Sequence, residues 1–380
     1  MLVIKAMGEK VRVKKSDIIV GTPLHQDVYD ENEVLLLKKD CLIESQKQLD
    51  ALLNRGLYFL FKTVHRVQRA LPETIKGPSP FEVIDDIYVQ LSALCTGYGT
   101  KINFSSRVTE LCKQIQQSCE IDADASLGAI FLGKVWNYSI MHQMHCAIIC
   151  EILLKYLERS PQERLPLLAA GLTMNIAMIE LQDILFNQKE RLNEDLRRDV
   201  QNHPAQGVEL LCTYGVTNET WLTAVLQHHE FIDGSGYPQG LHGDDIGQMA
   251  RILTLADVYC AKLFPRAYRD PLTPDVAARE IFTGSRGQCF DQDLANIFIK
   301  ELGIFHPGSF VRLANGDIAV VTRRGEKIHH PVVHSVVKGD GMPLFPPRER
   351  DCSEAEFKIT SSLAQHKVDV SINKFLLWSY

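Results

Sequence analysis

The chain has 380 residues, a formal net charge of −6 and a sequence pI near 6.1. Hydrophobic residues make up 45% of it and charged residues 23%, which is typical of a folded globular protein. The acidic balance gives no bulk attraction to DNA or to an anionic membrane. No segment has the roughly 18 uncharged apolar residues of a membrane helix. We therefore expect neither a DNA-binding nor a membrane protein.

The cysteines and the N-terminal segment indicate the cellular compartment in which the protein is expected. The ten cysteines form no C-x-x-C pair and no regular framework, and a chain of this length does not need disulfides to fold. The opening segment "MLVIKAMGEKVRVKKSD" mixes charged and apolar residues, which argues against a signal peptide or a membrane anchor. These features predict reduced thiols and a cytoplasmic location.

The first 124 residues are predicted to form two regions. Residues 1–65 combine short β-like runs with the helical stretch "IESQKQLDALLNRG", which indicates a small α+β module. Residues 66–124 are predicted to be a linker followed by connecting helices. The two helical segments "SPFEVIDDIYVQLSALC" and "SSRVTELCKQIQQSC" each begin with a serine suited to an N-cap.

Residues 125–305 have helical periodicity almost throughout. In "WNYSIMHQMHCAIICEILLKYL", His145 lies in an apolar stripe with Met141 and Ile148, whereas His142 lies off it. We therefore interpret His142 as a hydrogen-bonded core residue. The segment "LPLLAAGLTMNIAMIELQDIL" is apolar all round, which predicts one central buried helix. Pro204 is predicted at the first position of a helix, with His203 at its mouth.

After residue 305 the apolar period changes to two. "SFVRLANGDIAVVTRRG" predicts a β-hairpin that turns at Asn315 and Gly316. Residues 306–380 are therefore expected to form a β-rich C-terminal cap. The fold class is mainly α, a helical bundle between a small α+β module and this cap.

The stretch "HHEFIDGSGYP", from His228 to Pro238, places adjacent histidines before a glycine-rich turn. A single histidine is more often a core residue than a ligand, but several residues on separate predicted helices can converge. Convergent imidazoles and carboxylates are how helical bundles build metal sites. Such ligands suit Fe, Mn or Zn and metal-assisted phosphoester hydrolysis. The candidate ligands are His145, His203, His228, His229 and Asp257.

The runs "HHEFIDGSGYPQGL", "ARILTLADVYCA" and "RAYRDPLTPDVAARE" resemble the signature of the HD-GYP family of bacterial cyclic di-GMP phosphodiesterases, within the HD superfamily. The likeness spans about residues 136–323, and residues 2–63 are similar to a small module that often precedes such domains. The resemblance implies that the five candidate ligands bind metal and that Arg266 and Arg269 contact the dinucleotide phosphates. It also implies a loop for contacts with diguanylate cyclases or other signalling proteins, formed by Gly234, Gly236, Tyr237 and Pro238.

One element departs from the family pattern. The family's "LLHDIGK" is in register with "GLTMNIAM", so Met174, Asn175 and Met178 stand at the His, the bridging Asp and the Lys. Asn175 is neutral, and Met178 cannot make the cationic phosphate contact of a lysine. Three remaining imidazoles could hold a single metal. We therefore expect one Fe or Mn ion per chain, or none, and assign no catalytic residue.

Three functions follow. The first is a cytoplasmic cyclic di-GMP signalling protein with weak or lost hydrolysis, acting by nucleotide or partner binding. The second is an active metal-dependent phosphodiesterase, with Asn175 or an unassigned acid such as Glu180 or Asp183 completing the site. The third is an interaction module that docks a diguanylate cyclase through the glycine-rich loop and binds no nucleotide. A homodimer is an open alternative in each case.

Overall fold

The computed structural model describes residues 9–12, 20, 24, 27–31, 34–38, 41–43, 45–54, 58–61, 78–96, 102–132, 137–267, 269–283, 289–325, 327–368, 370 and 372–380. The chain divides into two compact units, Met1–Glu73 and Thr74–Tyr380. Most of the predicted linker lies in residues 66–77, outside the described residues. The predicted domain boundaries stay predictions.

The N-terminal unit is a small α+β structure, as expected. Its antiparallel sheet has the strand order β1-β4-β2-β3, with a single helix among the described residues of this unit. The apolar side chains of Leu24, Val28, Ile43 and Leu49 are buried together. The elements are β1 (Glu9–Arg12), β2 (Val28–Tyr29), β3 (Leu35–Leu37), α1 (Gln46–Asn54) and β4 (Tyr58–Phe61).

The second unit is mainly helical. Its helices are α2 (Pro80–Thr96), α3 (Phe104–Leu132), α4 (Tyr138–Tyr156), α5 (Pro161–Thr173), α6 (Ile179–Asn187), α7 (Glu194–Thr213), α8 (Glu219–Gln227), α9 (Gln248–Leu263), α10 (Pro274–Thr283), α11 (Gln292–Leu302) and α12 (Lys374–Trp378). This confirms the predicted mainly α class. None of the described helices is both long enough and apolar enough to cross a membrane.

Helix α4 lies at the centre of this unit and packs against α3, α5 and α9. Asn137 caps its start by accepting hydrogen bonds from the backbone N–H groups of Ser139 and Ile140, which satisfies donors that a helix start leaves unpaired. Gly171 on α5 lies so close to Ala147 that an added Cβ would be 3.2 Å from its backbone. The two helices therefore pack closely, and α4 is buried on nearly all sides.

The prediction of one helix over the apolar segment around residue 174 is wrong. Helix α5 ends at Thr173 and α6 begins at Ile179. Between them, Ile176 N–H donates to Thr173 and Met178 N–H donates to Asn175, so the chain makes tight turns. All-round apolarity indicates burial, but it cannot distinguish one long helix from two short helices joined by a buried turn.

The C-terminal region contains a five-stranded antiparallel sheet with the order β8-β7-β6-β5-β9. Its strands are β5 (Phe310–Leu313), β6 (Ile318–Arg323), β7 (Val332–Val337), β8 (Pro343–Asp351) and β9 (Ile359–Leu363). The hairpin between β5 and β6 turns at Asn315 and Gly316, as predicted, and Gly316 has a φ of 89°. Glycine adopts this left-handed conformation without the steric cost of a Cβ. The expected β-rich region is confirmed.

Candidate functional site

The adjacent histidines lie at the end of α8. Asn218 caps the start of this helix by accepting a hydrogen bond from Trp221 N–H, and His228 follows its last residue. The Nδ1 atom of His228 is 2.7 Å from the Val225 carbonyl oxygen. This hydrogen bond fixes the ring orientation and leaves Nε2 directed at α7.

His203 faces His228 from α7. Pro204 lies inside α7 (Glu194–Thr213) and not at its first position, so the predicted helix start there is wrong. Proline has no N–H for the carbonyl four residues earlier. That carbonyl, on Val200, instead bonds His203 Nδ1 at 2.6 Å. The proline is therefore compatible with the helix because the histidine uses the carbonyl that it leaves unpaired.

The two imidazoles present free Nε2 atoms to each other, 3.3 Å apart. Because each Nδ1 donates to a carbonyl, the neutral tautomer of each ring has a lone pair on Nε2. Burial lowers the pKa of His203 to about 3, with a further contribution from the neighbouring His228. Burial also lowers the pKa of His228. Two neutral rings with facing lone pairs form a suitable site for a cation.

Asp257 on α9 lies between this pair and α4. Its Oδ2 is 3.6 Å from Nδ1 of His229, and its Oδ1 is 2.7 Å from Nε2 of His142. Burial opposes its ionisation, but the hydrogen bond from His142 and the charges of His229 and His142 hold the pKa of Asp257 below the ordinary value. A buried carboxylate thus links two sets of candidate ligands. These sets are His203, His228 and His229, and His142, Cys146 and Asp257.

The structure corrects the position of the first histidine. His145 does not face the cluster; its ring is edge-on to Phe131, Phe264 and His306. Neither of its ring nitrogens has a hydrogen-bond partner among the described residues. His142, interpreted above as a core residue, occupies the place beside Asp257. Because α4 is buried on both sides, its apolar stripe could not indicate which face points to α9.

The three residues that depart from the family pattern differ in where their side chains lie. The Met174 side chain is buried in the hydrophobic core, whereas Asn175 and Met178 line a cavity. The Asn175 Oδ1 atom is buried and has no hydrogen-bond partner in the described part of the chain. The two alternative acids are not among the residues that line this cavity. Glu180 is exposed, and Asp183 bonds Asn137 and Ser139 at the start of α4.

The cavity has a volume of about 760 Å³ and joins the cluster to a basic segment. His142, His203, His229 and Asp257 line one side, and the segment between α6 and α7 contributes charged residues to the wall. Sequence reasoning missed the three cationic members of this wall, although they lie in the charge run "KERLNEDLRR". They are Lys189, Arg191 and Arg197.

The two arginines of "RAYR" differ in position. Arg266 lines the cavity, and its guanidinium lies 4.3 Å from the centre of the Tyr138 ring and donates to Tyr138 Oη at 2.6 Å. Arg269 instead donates to the Ala261 carbonyl at 2.8 Å and is not among the cavity-lining residues. Arg269 therefore does not line the cavity, and its guanidinium holds the chain after α9.

The glycine-rich loop folds back on the cluster. A Cβ on Gly236 would be 2.5 Å from Glu230 Cα, so only glycine allows this approach, and Gly234 has a φ of 78°. Tyr237 N–H bonds the His229 carbonyl, and the Tyr237 ring stacks on His229 with centroids 4.7 Å apart. The loop therefore supports a candidate ligand. Its exposed residues include Asp233, Ser235 and Pro238.

Comparisons with known proteins find a family match and several relatives for the helical part of the chain. Residues 136–294 match the model of the HD domain family. A cyclic di-GMP phosphodiesterase of Pseudomonas aeruginosa is 28% identical over 217 residues, 57% of this chain and 52% of the relative. A 3'3'-cGAMP-specific phosphodiesterase of Vibrio cholerae is 28% identical over 251 residues, 62% of this chain and 53% of the relative.

The chain thus spans about half the length of these two relatives. Among solved structures, a HDG"Y"P protein from Bdellovibrio bacteriovorus aligns with a TM-score of 0.48 and 13% identity, over 76% of this chain and 98% of that one. The family match covers α4 to α10 and includes every candidate ligand. Residues 136–294 of this chain are therefore similar to the HD domain family.

Proposed function

We propose that this chain binds cyclic di-GMP in the cavity beside the histidine cluster, and acts in bacterial cyclic-dinucleotide signalling with weak or lost hydrolysis. The observation that carries the proposal is the arrangement of charge in the cavity. Cationic side chains lie on its wall, and the histidines and Asp257 lie at its inner end. A cyclic dinucleotide carries two anionic phosphodiester groups, which the cationic side chains would attract. The histidines and Asp257 would hold a metal ion.

The size and chemistry of the cavity support a ligand of this class. Its volume, about 760 Å³, lies within the range of about 300–1,000 Å³ usual for small-molecule sites. Arg266 is held in place by the Tyr138 ring and hydroxyl, and an ordered guanidinium can bond a phosphate with two parallel N–H groups. Lys189, Arg191 and Arg197 add positive charge on the exposed side.

The residues of the cluster fit a divalent metal ion. His203 and His228 each bond a backbone carbonyl through Nδ1, which is the usual outer bond of a metal-binding histidine. His203, His228 and His229 would be the ligands, with Asp257 beside them. Imidazole ligands suit Fe and a carboxylate suits Mn, and such an ion supplies Lewis-acid stabilisation of charge on a phosphoryl oxygen. Tyr237 holds the His229 ring in this arrangement.

Loss of hydrolysis is proposed from the residues around Asn175. The neutral amide of Asn175 stands where the family has an anionic bridging ligand, and Met174 is turned into the core. Asp257 is the only buried carboxylate among the described residues of the cavity wall. The names of the relatives support the alternative, an active phosphodiesterase, so the two functions need a direct assay.

Calorimetric titration with cyclic di-GMP tests the binding proposal, with 3'3'-cGAMP as a second ligand. We expect Arg266→Ala to weaken cyclic di-GMP binding by about tenfold or more, because a hydrogen bond to a charged group contributes about 1.5–3 kcal/mol. Arg269→Ala is the matched control and should leave the affinity unchanged. Absence of binding by the unmodified protein at high micromolar ligand would refute the proposal and leave docking through the glycine-rich loop.

A separate assay tests hydrolysis. The purified protein is loaded with Mn²⁺ or Fe²⁺, its metal content is measured by mass spectrometry, and the linear dinucleotide and GMP are followed over time. We expect binding without steady turnover. Steady turnover would overturn the assignment of weak or lost activity and establish the active phosphodiesterase instead.

A further inference from the structure

A second group of metal-binding side chains lies between α4 and α9, on the far side of Asp257 from the paired histidines. His142 and Cys146 are one helical turn apart on α4, and therefore lie on the same face. The Cys146 Sγ atom is 3.9 Å from His142 Nε2, which is 2.7 Å from Asp257 Oδ1. The three ligand atoms all lie within 4.8 Å of one another.

We propose that His142, Cys146 and Asp257 bind a thiophilic divalent metal ion such as Zn²⁺, through one nitrogen, one sulfur and one oxygen. In tetrahedral Zn²⁺ sites, bonds of about 2.0–2.3 Å place neighbouring ligand atoms about 3.3–3.6 Å apart. The separation of His142 Nε2 from Cys146 Sγ is longer than this range, and its separation from Asp257 Oδ1 is shorter.

The charges of the site favour a dication. The Cys146 thiol loses its proton when it binds metal, so the thiolate and Asp257 together carry two negative charges beside a neutral imidazole. A divalent ion makes this set electrically neutral, which matters because isolated charges are costly in a buried environment. His142 and Cys146 are fully buried, and Asp257 is nearly so.

The thiol distinguishes this site from the histidine cluster. A thiolate is a softer ligand than an imidazole, so it favours Zn²⁺ over harder ions such as Mn²⁺ more strongly than the three imidazoles of His203, His228 and His229 do. His142 and Asp257 also line the cavity, so a fourth coordination position is open to a ligand from that side. The Cys146 thiol contacts Cys260 on α9, which helps to orient it.

The test uses Co²⁺ as a spectroscopic probe of the reduced full chain. We expect a thiolate-to-cobalt charge-transfer band in the near ultraviolet that saturates at one ion per chain and is displaced by Zn²⁺. Cys146→Ser should abolish the band and weaken Zn²⁺ binding by about 100-fold or more, since loss of even an outer-sphere partner weakens metal affinity by about 10–100-fold. Cys150→Ser, an equally buried thiol one turn further along α4, is the matched control and should retain the band.

X-ray absorption of the Zn²⁺-loaded unmodified protein provides a second readout that does not depend on the variant folding. A sulfur scatterer at about 2.3 Å supports the site, whereas nitrogen and oxygen scatterers alone overturn it. A missing cobalt band in the unmodified protein, or a band unchanged in Cys146→Ser, also overturns it. The proposal is independent of nucleotide binding, because the band is measured without nucleotide and should persist in Arg266→Ala.

Discussion

Nε2 of His203 lies 3.3 Å from Nε2 of His228, and each ring uses its Nδ1 to bond a backbone carbonyl. Neither neutral ring has a proton to place between the two Nε2 atoms. The polypeptide therefore holds two lone pairs at a separation that a shared cation would stabilise. This arrangement is preorganised, because both Nδ1 bonds come from the residue's own helix, three residues earlier in the chain.

The first prediction is that a divalent metal stabilises the fold through this pair. At a free concentration 100 times its dissociation constant, an ion that binds only the folded state adds about 2.7 kcal/mol to the free energy of unfolding. We expect Mn²⁺ or Fe²⁺ to raise the melting temperature of the unmodified protein and to have a much smaller effect on His203→Ala. His329→Ala, at an exposed position, should behave as the unmodified protein does. An equal metal-induced shift in His203→Ala would contradict the prediction.

A second prediction separates the two histidines of α4. His145 has both ring nitrogens buried without partners in the described residues, and an unsatisfied buried polar group costs about 1–3 kcal/mol. His145→Phe, among the rings of Phe131 and Phe264, should therefore leave the free energy of unfolding unchanged or raise it by about 1 kcal/mol. Urea denaturation measures this change. The content of Zn²⁺, the ion proposed for the site of His142, should be retained in His145→Phe and reduced in His142→Phe. Loss of Zn²⁺ in His145→Phe would restore His145 as a ligand.

Local sequence signals were sufficient to predict the structure at turns and helix starts, where neighbouring residues determine the backbone conformation. Asn315 and Gly316 mark a hairpin because the turn needs positive φ, and Asn218 marks a helix start because its side chain can accept a backbone N–H. The signature around His228 and His229 indicated the similarity to the HD domain family and located the end of α8. In these places, neighbouring residues determine the conformation, so the sequence alone is informative.

The predictions that failed depend on contacts between distant elements. The face of α4 that carries His142 is set by its packing against α9, and an apolar pattern on both sides of the helix does not record it. The turn after Thr173 is hidden in an apolar run for the same reason. Arg197 belongs to an exposed charge run that looks like an ordinary solvated helix start, and only the three-dimensional cavity shows which of its charges face inward.

The third prediction concerns this basic wall. Arg197 lines the cavity, while the adjacent Arg198 does not and instead pairs with Asp195 on the surface of α7. Arg197→Ala should weaken cyclic di-GMP binding by roughly three- to tenfold, since an exposed charge contributes about 1 kcal/mol. Cyclic di-GMP binding by Arg197→Ala should also depend less steeply on salt concentration, because one attraction between a cationic side chain and the ligand, which salt screens, is removed. Calorimetric titrations at two salt concentrations measure both effects, and an equal loss in Arg198→Ala would show that overall charge, rather than the cavity, attracts the ligand.

The last prediction concerns the close approach of the glycine-rich loop to the cluster. A Cβ on Gly236 would lie 2.5 Å from Glu230 Cα and 2.6 Å from the His229 carbonyl oxygen. These are backbone atoms, so they cannot move aside as a flexible side chain would. Gly236→Ala should therefore displace the loop, remove the stacking of Tyr237 on His229, and lower the free energy of unfolding by about 2 kcal/mol or more. Metal affinity should fall with it, because the His229 ring loses its support.

The matched control for this change is Gly247→Ala, where the nearest atom to the added Cβ is 3.6 Å away, an ordinary contact. Chemical denaturation gives the stability of both variants, and metal titration gives their affinities. If Gly236→Ala unfolds at the same denaturant concentration as Gly247→Ala and binds metal normally, the loop can move away without cost. The role of the loop in supporting His229 would then be wrong, and its glycines would have to be explained by contacts outside the chain. The opposite result, with weak metal binding in Gly236→Ala alone, ties the loop to the site through His229.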